Sequence, residues 1–234
     1  MATDRNAKKI VWGAGTPRTL RAHWSMYELG LDYERRPIGS RNGGNVTPEY
    51  TRLNPSQKIP TVQDGDLVVS ESAAIVNYLT TCYGAENNMQ PPADPAERAR
   101  YDMWCFFSMM ELDADTMYII RRHGDLHAIY GEAPNAVKAA KEIFVKQAEA
   151  ALTRLGAGPY AMGDCFTGAD ILLTTCLTGA QRREIVLPEP LTAYLSRTTS
   201  REAYQLAIAA NQPPAAPYLD HNLAVKITVM PVNN

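Results

Sequence analysis

The sequence SQKIPTVQDGDLVVSESAAIVNYL, from Ser56 to Leu79, contains the clearest structural signals in the chain. Two apolar runs, Thr61-Val62 and Leu67–Val69, flank the letters QDGD, and an Asp-Gly step between apolar runs is a strong signal for a β-hairpin. The spacing of apolar residues from Glu71 to Tyr83 then indicates a helix. The stretch therefore predicts a hairpin that leads directly into a helix.

Two features of this stretch point to a ligand. Pro60 stands where the first strand begins, although proline is normally excluded from central strands because it lacks a ladder donor. A cis Ile59-Pro60 bond would explain it, since it would turn the backbone of Ile59 outward and leave its N–H and C=O free for a peptide-like ligand. Glu71 and Ser72 lie at the predicted helix N-terminus, which favours a carboxylate. Together these groups suit a small peptide with a free α-carboxylate and α-amine.

The residues before this stretch complete a first α/β unit. Lys9 to Trp12 is a short apolar run typical of a buried strand, and Thr16-Pro17 is a helix start, with a hydroxyl at the cap and proline at the first helical position. Gly30 is a helix stop, and the segment DYERRPI predicts a second strand. The order β-α-β followed by β-β-α resembles the thioredoxin-like arrangement.

Composition excludes several classes of function. The chain has 234 residues, of which 45% are hydrophobic and 21% charged, with a net charge of −2. No strong field favours nucleic acid or an anionic membrane as partner. The apolar runs are too short for a membrane span and no leader-like segment is evident, so we expect a cytoplasmic protein. The four cysteines and four histidines follow no metal-binding pattern, and we expect no metal site and four reduced thiols.

The remainder of the chain predicts a helical domain. The polar, proline-rich segment GAENNMQPPADP breaks all periodicity and indicates an interdomain linker. The sequence after it predicts helices at residues 95–123, 134–155, 191–197 and 200–210, and one that opens at Thr167 with a capping box closed by Asp170. Near the end, the segment AVKITVM has the composition of a strand.

These motifs are similar to those of the cytosolic glutathione S-transferases, and the similarity covers nearly the whole chain. The signs are KIPTVQDGDLVVSESAAIVNYL, the helix ending YELGL, the proline-rich linker and FTGADI. The resemblance implies a thioredoxin-like glutathione-binding domain at residues 1–84, a linker at 85–94 and an all-helical domain at 95–234. It also implies glutathione as co-substrate and a homodimer.

The resemblance assigns a role in glutathione binding to five residues. Ile59, held by the cis bond to Pro60, would bind the cysteinyl portion through its backbone. Glu71 and Ser72 would bind the γ-glutamyl end, and Lys58 would reach the glycyl carboxylate. For Lys58, a solvated surface lysine is an equal alternative.

Thr16 is the first candidate for the group that activates the thiol. It stands where theta-like and related bacterial members carry Ser or Thr, and a hydrogen bond to the sulfur would lower the thiol pKa. No Tyr or Cys occurs between residues 1 and 26, which disfavours the tyrosine and cysteine classes. Arg18 and Thr19 stand where many members carry an Asn or Ser, so Arg18 and Thr19 are further candidates. A plain helix cap is the alternative for Thr16.

The long predicted helix would form the wall for the second substrate, which we expect to be a small apolar electrophile. The candidate wall residues are Met103, Trp104, Phe107, Met110 and Tyr118, and the alternative is that this stripe is core. Conjugation, cleavage of lignin-derived aryl ethers and peroxide reduction all use the same thiolate. A non-catalytic glutathione-binding module and a glutathione-dependent disulfide reductase are the other functions that the sequence leaves open.

Overall fold

The computed structural model describes residues 5 and 7–213. Its sheet has four strands in the order β2-β1-β3-β4: β1 (Lys9–Trp12), β2 (Glu34–Arg36), β3 (Thr61–Asp64) and β4 (Leu67–Ser70). β1 runs parallel to β2 and antiparallel to β3, with Val11 opposite Val62. β3 and β4 form the predicted antiparallel hairpin, with the Asp-Gly step in its turn.

Helix α1 (Pro17–Glu28) is the structural centre of the molecule. It packs against helix α3 (Ser72–Tyr83) and against two helices of the second half of the chain, α8 (Gly168–Gln181) and α10 (Glu202–Ala210). Every residue from Thr19 to Met26 is buried. A helix surrounded on all sides can bury polar side chains only when they find partners, and this requirement shapes the site described below.

From Pro95 to Ala210 the chain is mainly helical, and we call this part the helical half. Its further helices are α4 (Pro95–Phe107), α5 (Tyr118–Ile120), α6 (His127–Tyr130), α7 (Pro134–Leu155) and α9 (Glu189–Thr199). The short helix α2 (Pro48–Leu53) belongs to the first α/β unit. Helix α8 begins with the predicted capping box, in which the Thr167 N–H donates to Asp170 Oδ2 at 2.8 Å. The buried carboxylate of Asp170 also accepts from Tyr194 at 2.8 Å, so the cap ties α8 to α9.

The single long α-helix predicted at residues 95–123 is corrected in one respect. The chain continues as a helix from Pro95 to Asp125, but Ser108–Met117 and Arg121–Asp125 are wound as π-helix. A π-helical turn closes hydrogen bonds from i to i+5, so it takes more residues per turn and rotates the following side chains. The faces that an α-helical period assigns beyond Phe107 are therefore shifted.

The two halves share one hydrophobic core that is continuous across α1. Trp24 of α1 packs edge-on against Tyr204 of α10, with 4.8 Å between ring centroids. Its indole N–H donates to Glu28, which in turn accepts two hydrogen bonds from Arg201 at 2.6 and 2.7 Å. The predicted thioredoxin-like unit followed by a helical region is confirmed.

Two expectations concern the tail. The first is the strand predicted at AVKITVM, and the second is that the chain after Pro213 folds back over the cleft between the two predicted domains. Both lie outside the described residues. Within residues 7–213, no helix combines the length and the apolarity needed to cross a membrane.

Candidate active site

A cavity of about 250 Å³ lies between the N-terminal end of α1 and the helical half of the chain. Thr16, Arg18, Lys58, Ile59 and Tyr118 all contribute to its lining, so the structure brings together five residues that the sequence singled out. The volume lies just below the usual range for small-molecule pockets, roughly 300–1,000 Å³. Gly13 and Gly15, both with positive φ, lie between β1 and the N-terminus of α1.

Thr16 is the N-cap of α1 and is 9% exposed. Its Oγ1 accepts from the Thr19 N–H at 3.0 Å and lies 3.0 Å from the Thr19 hydroxyl. The expected helix cap is therefore present, and Thr16 also lines the cavity. One hydroxyl can accept in a cap and donate to a ligand at the same time, because it has two lone pairs and one proton.

Thr19 does not face the cavity. It is fully buried, and its Oγ1 lies 2.8 Å from the Thr16 carbonyl and 2.6 Å from Asn211 Oδ1. Asn211, which follows α10, also donates from Nδ2 to the Thr16 carbonyl at 3.0 Å. The structure thus corrects the sequence hypothesis that Thr19 donates directly to sulfur, because its hydroxyl is enclosed by protein groups.

Arg18 takes part in an ion-pair network rather than standing free. Its guanidinium contacts Asp113 at 2.7 and 3.2 Å and lies 4.8 Å from the ring centroid of Tyr118. Arg21, 1% exposed, contacts Asp113 Oδ2 at 2.9 Å, the oxygen that also accepts from Arg18 Nε. Burial alone would raise the pKa of the Asp113 carboxyl, but the charges of Arg21 and Arg18 outweigh it and lower the pKa below its ordinary value. Two cations therefore share one carboxylate beside the cavity.

The Ile59-Pro60 peptide bond is cis, as predicted. Among the residues that the structure describes, none makes a hydrogen bond to the Ile59 N–H or C=O. The Ile59 side chain packs so closely on Gly13 that a Cβ placed on this glycine would lie 2.7 Å from the Ile59 Cβ. Lys58 is exposed, and its carbonyl is held by Tyr50 and Asn54 at 2.6 and 2.8 Å. Backbone polar groups of an extended segment are thus left free at the cavity.

Glu71 and Ser72 lie at the N-terminus of α3, as predicted. Glu71 is exposed and has a positive φ of 66°, which is uncommon for a residue other than glycine. Ser72 is buried, and its Oγ accepts from Arg21 Nη1 at 3.0 Å. The network of Arg21 and Asp113 therefore extends from the cavity to the start of α3.

The predicted wall for the second substrate is largely corrected. Trp104 and Phe107 are buried in the core and contact each other edge-on, with centroids 6.0 Å apart. Met103 and Met110 are exposed and do not line the cavity, and only Tyr118 of the five does. Arg41, Arg121 and Arg183 line it as well, and the sequence reasoning missed all three. These arginines are far apart in the chain, so no local motif reveals them.

Comparison with known proteins gives a consistent picture. Residues 7–81 match the family model described as glutathione S-transferase, N-terminal domain. Glutathione S-transferase 3 of Zea mays is 29% identical over 209 residues, which are 86% of this chain and 93% of that protein.

Solved structures give the same result. A theta class glutathione S-transferase from Xanthomonas axonopodis pv. citri, with glutathione bound, is 31% identical and has a TM-score of 0.73. The match covers 86% of this chain and 97% of that one. A glutathione transferase homologue from Lodderomyces elongisporus, with two GSH per subunit, has a TM-score of 0.80 at 22% identity, covering 88% of this chain and 99% of that one. The second likeness concerns the fold alone.

Proposed function

Because the chain belongs to the glutathione S-transferase family, we propose that it activates the thiol of bound glutathione for attack on an electrophilic organic substrate. The observation that carries the proposal is the cavity that Thr16 and Ile59 line together, where Thr16 caps α1 with its hydroxyl and the Ile59 backbone has no hydrogen-bond partner within the described part of the chain. One group can donate to a sulfur, and the other can pair with the backbone of the peptide that carries it. Lysine and arginine side chains around them suit a ligand with two carboxylates.

In the proposed binding mode, glutathione lies along the edge of the first α/β unit. Ile59 pairs with the cysteinyl portion, and Lys58 holds the glycyl carboxylate. The γ-glutamyl carboxylate binds the N-terminus of α3 and the Ser72 hydroxyl, while Glu71 holds the ammonium group. The free N–H groups of the first helical turn supply the partial positive charge that a carboxylate requires.

The thiolate in this proposal is stabilised by two effects. Thr16 keeps its proton and donates a hydrogen bond to the sulfur, and Arg18 and Arg21 leave one net positive charge after pairing with Asp113. Both effects favour the thiolate over the thiol and lower the thiol pKa, so that more nucleophile is present at neutral pH. Holding both reactants in one cavity supplies the rest of the rate enhancement.

The reaction is a substitution in which a C–S bond forms and the leaving group departs with the bonding electron pair. Conjugation with displacement of halide and cleavage of an aryl ether, including lignin-derived ethers, differ only in the leaving group. A panel of halide, ether, peroxide and disulfide substrates, each followed by loss of free thiol, therefore determines the subtype. Retention on immobilised glutathione without any turnover in this panel would indicate a binding module instead.

The replacement Thr16→Val tests the thiolate step. We expect the ultraviolet titration of the bound thiolate to move to higher pH, with little change in the affinity for glutathione. Thr47→Val is a matched control, because Thr47 also caps a helix, accepts from the Tyr50 N–H at 3.2 Å and precedes a proline. Each loss of a cap costs about 0.5–2 kcal/mol of stability. A titration curve that is unchanged in Thr16→Val would remove Thr16 from the mechanism.

The replacement Glu71→Ala tests the binding mode independently of activity. Glu71 is exposed, so its loss should weaken glutathione binding roughly 10- to 100-fold at little cost to stability. Ser72→Ala should weaken binding too, but it also removes an acceptor of the buried Arg21 and should lower the melting temperature. Glu132→Ala, an exposed glutamate at the far end of the helical half, is the control. Unchanged calorimetric affinity in both test variants would refute the γ-glutamyl site.

We also propose a cytoplasmic homodimer with a role in detoxification. Large apolar side chains are exposed on α4 and its continuation and on the edge strand β4, and such surfaces mark interfaces: Met103, Phe106, Met110, Leu67 and Val68. Phe106 is 68% exposed. Light scattering should give a mass of twice the 25.8 kDa of one chain. Phe106→Glu should reduce the measured mass toward that of one chain. The mass of one chain for the wild type at micromolar concentration would exclude the dimer.

A further inference from the structure

The charge of the cavity is unbalanced. Six cationic side chains line it, and Asp113 is the one carboxylate among the described lining residues. Asp113 is already shared by Arg18 and Arg21. Four cations remain: Arg41, Lys58, Arg121 and Arg183.

Arg121 and its neighbours are held in the cavity with few partners. Within residues 7–213, the Arg121 guanidinium makes no hydrogen bond or ion pair. The Nε atoms of Arg41 and Arg183 are buried and also have no partner there, although Arg183 pairs through Nη2 with Asp125. Burial lowers the pKa of Arg121, and the charges of Arg41 and Arg183 lower it further. Like charges held together at a cost to the protein are expected where an anion binds between them.

The proposed binding mode of glutathione leaves these groups unused. It assigns the glycyl carboxylate to Lys58 and the γ-glutamyl carboxylate to the N-terminus of α3. Arg121 and Arg183 belong to the helical half and line the cavity on the side opposite the first α/β unit, where the second substrate is expected. Tyr118 and Tyr130 line the same cavity, and one face of each ring is stacked by an arginine.

We propose that Arg121, with Arg41 and Arg183 beside it, binds a carboxylate or similar anionic group of the second substrate. The enzyme then acts on anionic aromatic electrophiles, and not on the neutral apolar compounds that the sequence predicted. This inference rests on the proposed function for the identity of the nucleophile, but the anion site itself is independent of it.

Binding without turnover tests the site directly. The probe is 3,5-dinitrobenzoate, which has no leaving group, and its neutral methyl ester is the comparison. Both are titrated into protein saturated with S-methylglutathione. We expect the benzoate to bind more tightly than the ester, and Arg121→Met to weaken the benzoate roughly 10- to 100-fold while the ester changes less than about twofold.

Arg122→Met is the matched control, because it removes the same charge one residue away. Arg122 is exposed, lies outside the cavity lining and stacks on Tyr130 at 4.6 Å, a packing that methionine can keep. It should leave both affinities unchanged. The melting temperature of Arg121→Met provides a check on folding, since loss of an unpaired, partly buried cation should leave it unchanged or raise it.

Turnover provides a second test with 4-chloro-3,5-dinitrobenzoate and its methyl ester. The thiolate attacks the ring carbon that carries chlorine, the C–S bond forms, and chloride leaves with the bonding pair. Each kcat/KM is divided by the rate constant of the uncatalysed reaction with glutathione. Arg121→Met should reduce the ratio for the benzoate by the same factor as in binding.

The outcomes separate the two proposals. Equal binding of benzoate and ester, or an equal loss of both in Arg121→Met, overturns the anion site. If S-methylglutathione does not bind, the proposed function fails, and an Arg121-dependent affinity for dinitrobenzoate still supports the anion site. If benzoate binding depends on Arg122 as strongly as on Arg121, it reflects nonspecific electrostatic attraction to the positive surface, and the anion site is overturned.

Discussion

The replacement Asp113→Asn is predicted to destabilise the protein strongly, because it leaves Arg21 buried without a carboxylate. The Arg21 guanidinium is 1% exposed and contacts Asp113 Oδ2 at 2.9 Å. Its other nitrogens donate to Thr175 at 2.7 Å and Ser72 at 3.0 Å, and among the described residues no second carboxylate pairs with it. Breaking a buried ion pair from one side costs about 3–5 kcal/mol. Arg18 is 35% exposed, and the loss of its pair adds about 0–1 kcal/mol.

The measurement is a calorimetric melting curve at fixed protein concentration and neutral pH. For a chain of this size, 1 kcal/mol corresponds to about 2–4 °C, so the combined cost of about 3–6 kcal/mol should lower the melting temperature by roughly 6–24 °C. Asp115→Asn is the matched control, because Asp115 is exposed on the same π-helical segment and forms no ion pair within the described part of the chain. It should shift the melting temperature by less than ~2 °C.

An equally small shift for Asp113→Asn would refute the reasoning. It would mean that Arg21 is neutralised by another group or that water reaches it. A second readout comes from Ser72, whose hydroxyl Arg21 holds at the start of α3. Glutathione affinity should fall in Asp113→Asn and remain unchanged in Asp115→Asn.

Three further predictions concern other parts of the fold. Burial lowers the pKa of His23 from 6.5 to about 4, so the unfolded state gains a proton first as the pH falls. The free energy of unfolding should therefore decline by about 3 kcal/mol between roughly pH 6.5 and 4. Urea titrations of His23→Gln over this pH range should show a flatter decline. Gly13→Ala places a Cβ 2.7 Å from Ile59 at φ +110° and should lower both melting temperature and glutathione affinity, whereas calorimetry showing neither would contradict the close packing. Cys165 is exposed and should react first with a chromogenic disulfide, while Cys176, whose pKa burial raises to about 12, should react only after unfolding; equal rates would contradict this order.

The first α/β unit could be predicted because its signals are local. The Asp-Gly turn, the proline after Ile59 and the Thr16-Pro17 helix start each act on neighbouring residues, and the structure has all three where the sequence indicates them. A turn or a cap needs no distant partner, so the pattern is sufficient.

The wall for the second substrate could not be predicted in the same way. An α-helical period does not hold throughout residues 95–123, because the π-helical segment Ser108–Met117 rotates the side chains that come after it. Trp104 and Phe107 precede this segment, and they prove to be core because an apolar stripe predicts burial but not whether protein or substrate covers it. Asp113 lies within the segment and points to α1. The cavity arginines that Asp113 does not pair, Arg41, Arg121 and Arg183, come from three separate segments of the chain, and a single sequence carries no information on which distant charges meet.

The arrangement around Thr16 explains how a helix cap can also activate a thiol. Thr19 has one hydroxyl proton and two acceptors close to it, Asn211 Oδ1 at 2.6 Å and the Thr16 carbonyl at 2.8 Å. Because Thr19 donates to one of these two, it does not donate to the Thr16 hydroxyl. Asn211 is held in this orientation because it donates to the Thr16 carbonyl at 3.0 Å and accepts from the Gly15 N–H at 3.2 Å. Thr16 therefore keeps its own proton for donation, either to Thr19 Oγ1 or to a ligand. A thiolate is a charged acceptor and forms the stronger hydrogen bond, so the sulfur of bound glutathione would accept this hydrogen bond in place of Thr19 Oγ1. The hydroxyl proposed to act on the sulfur thus belongs to the first α/β unit, whereas Asn211, which orders its proton, comes directly after α10.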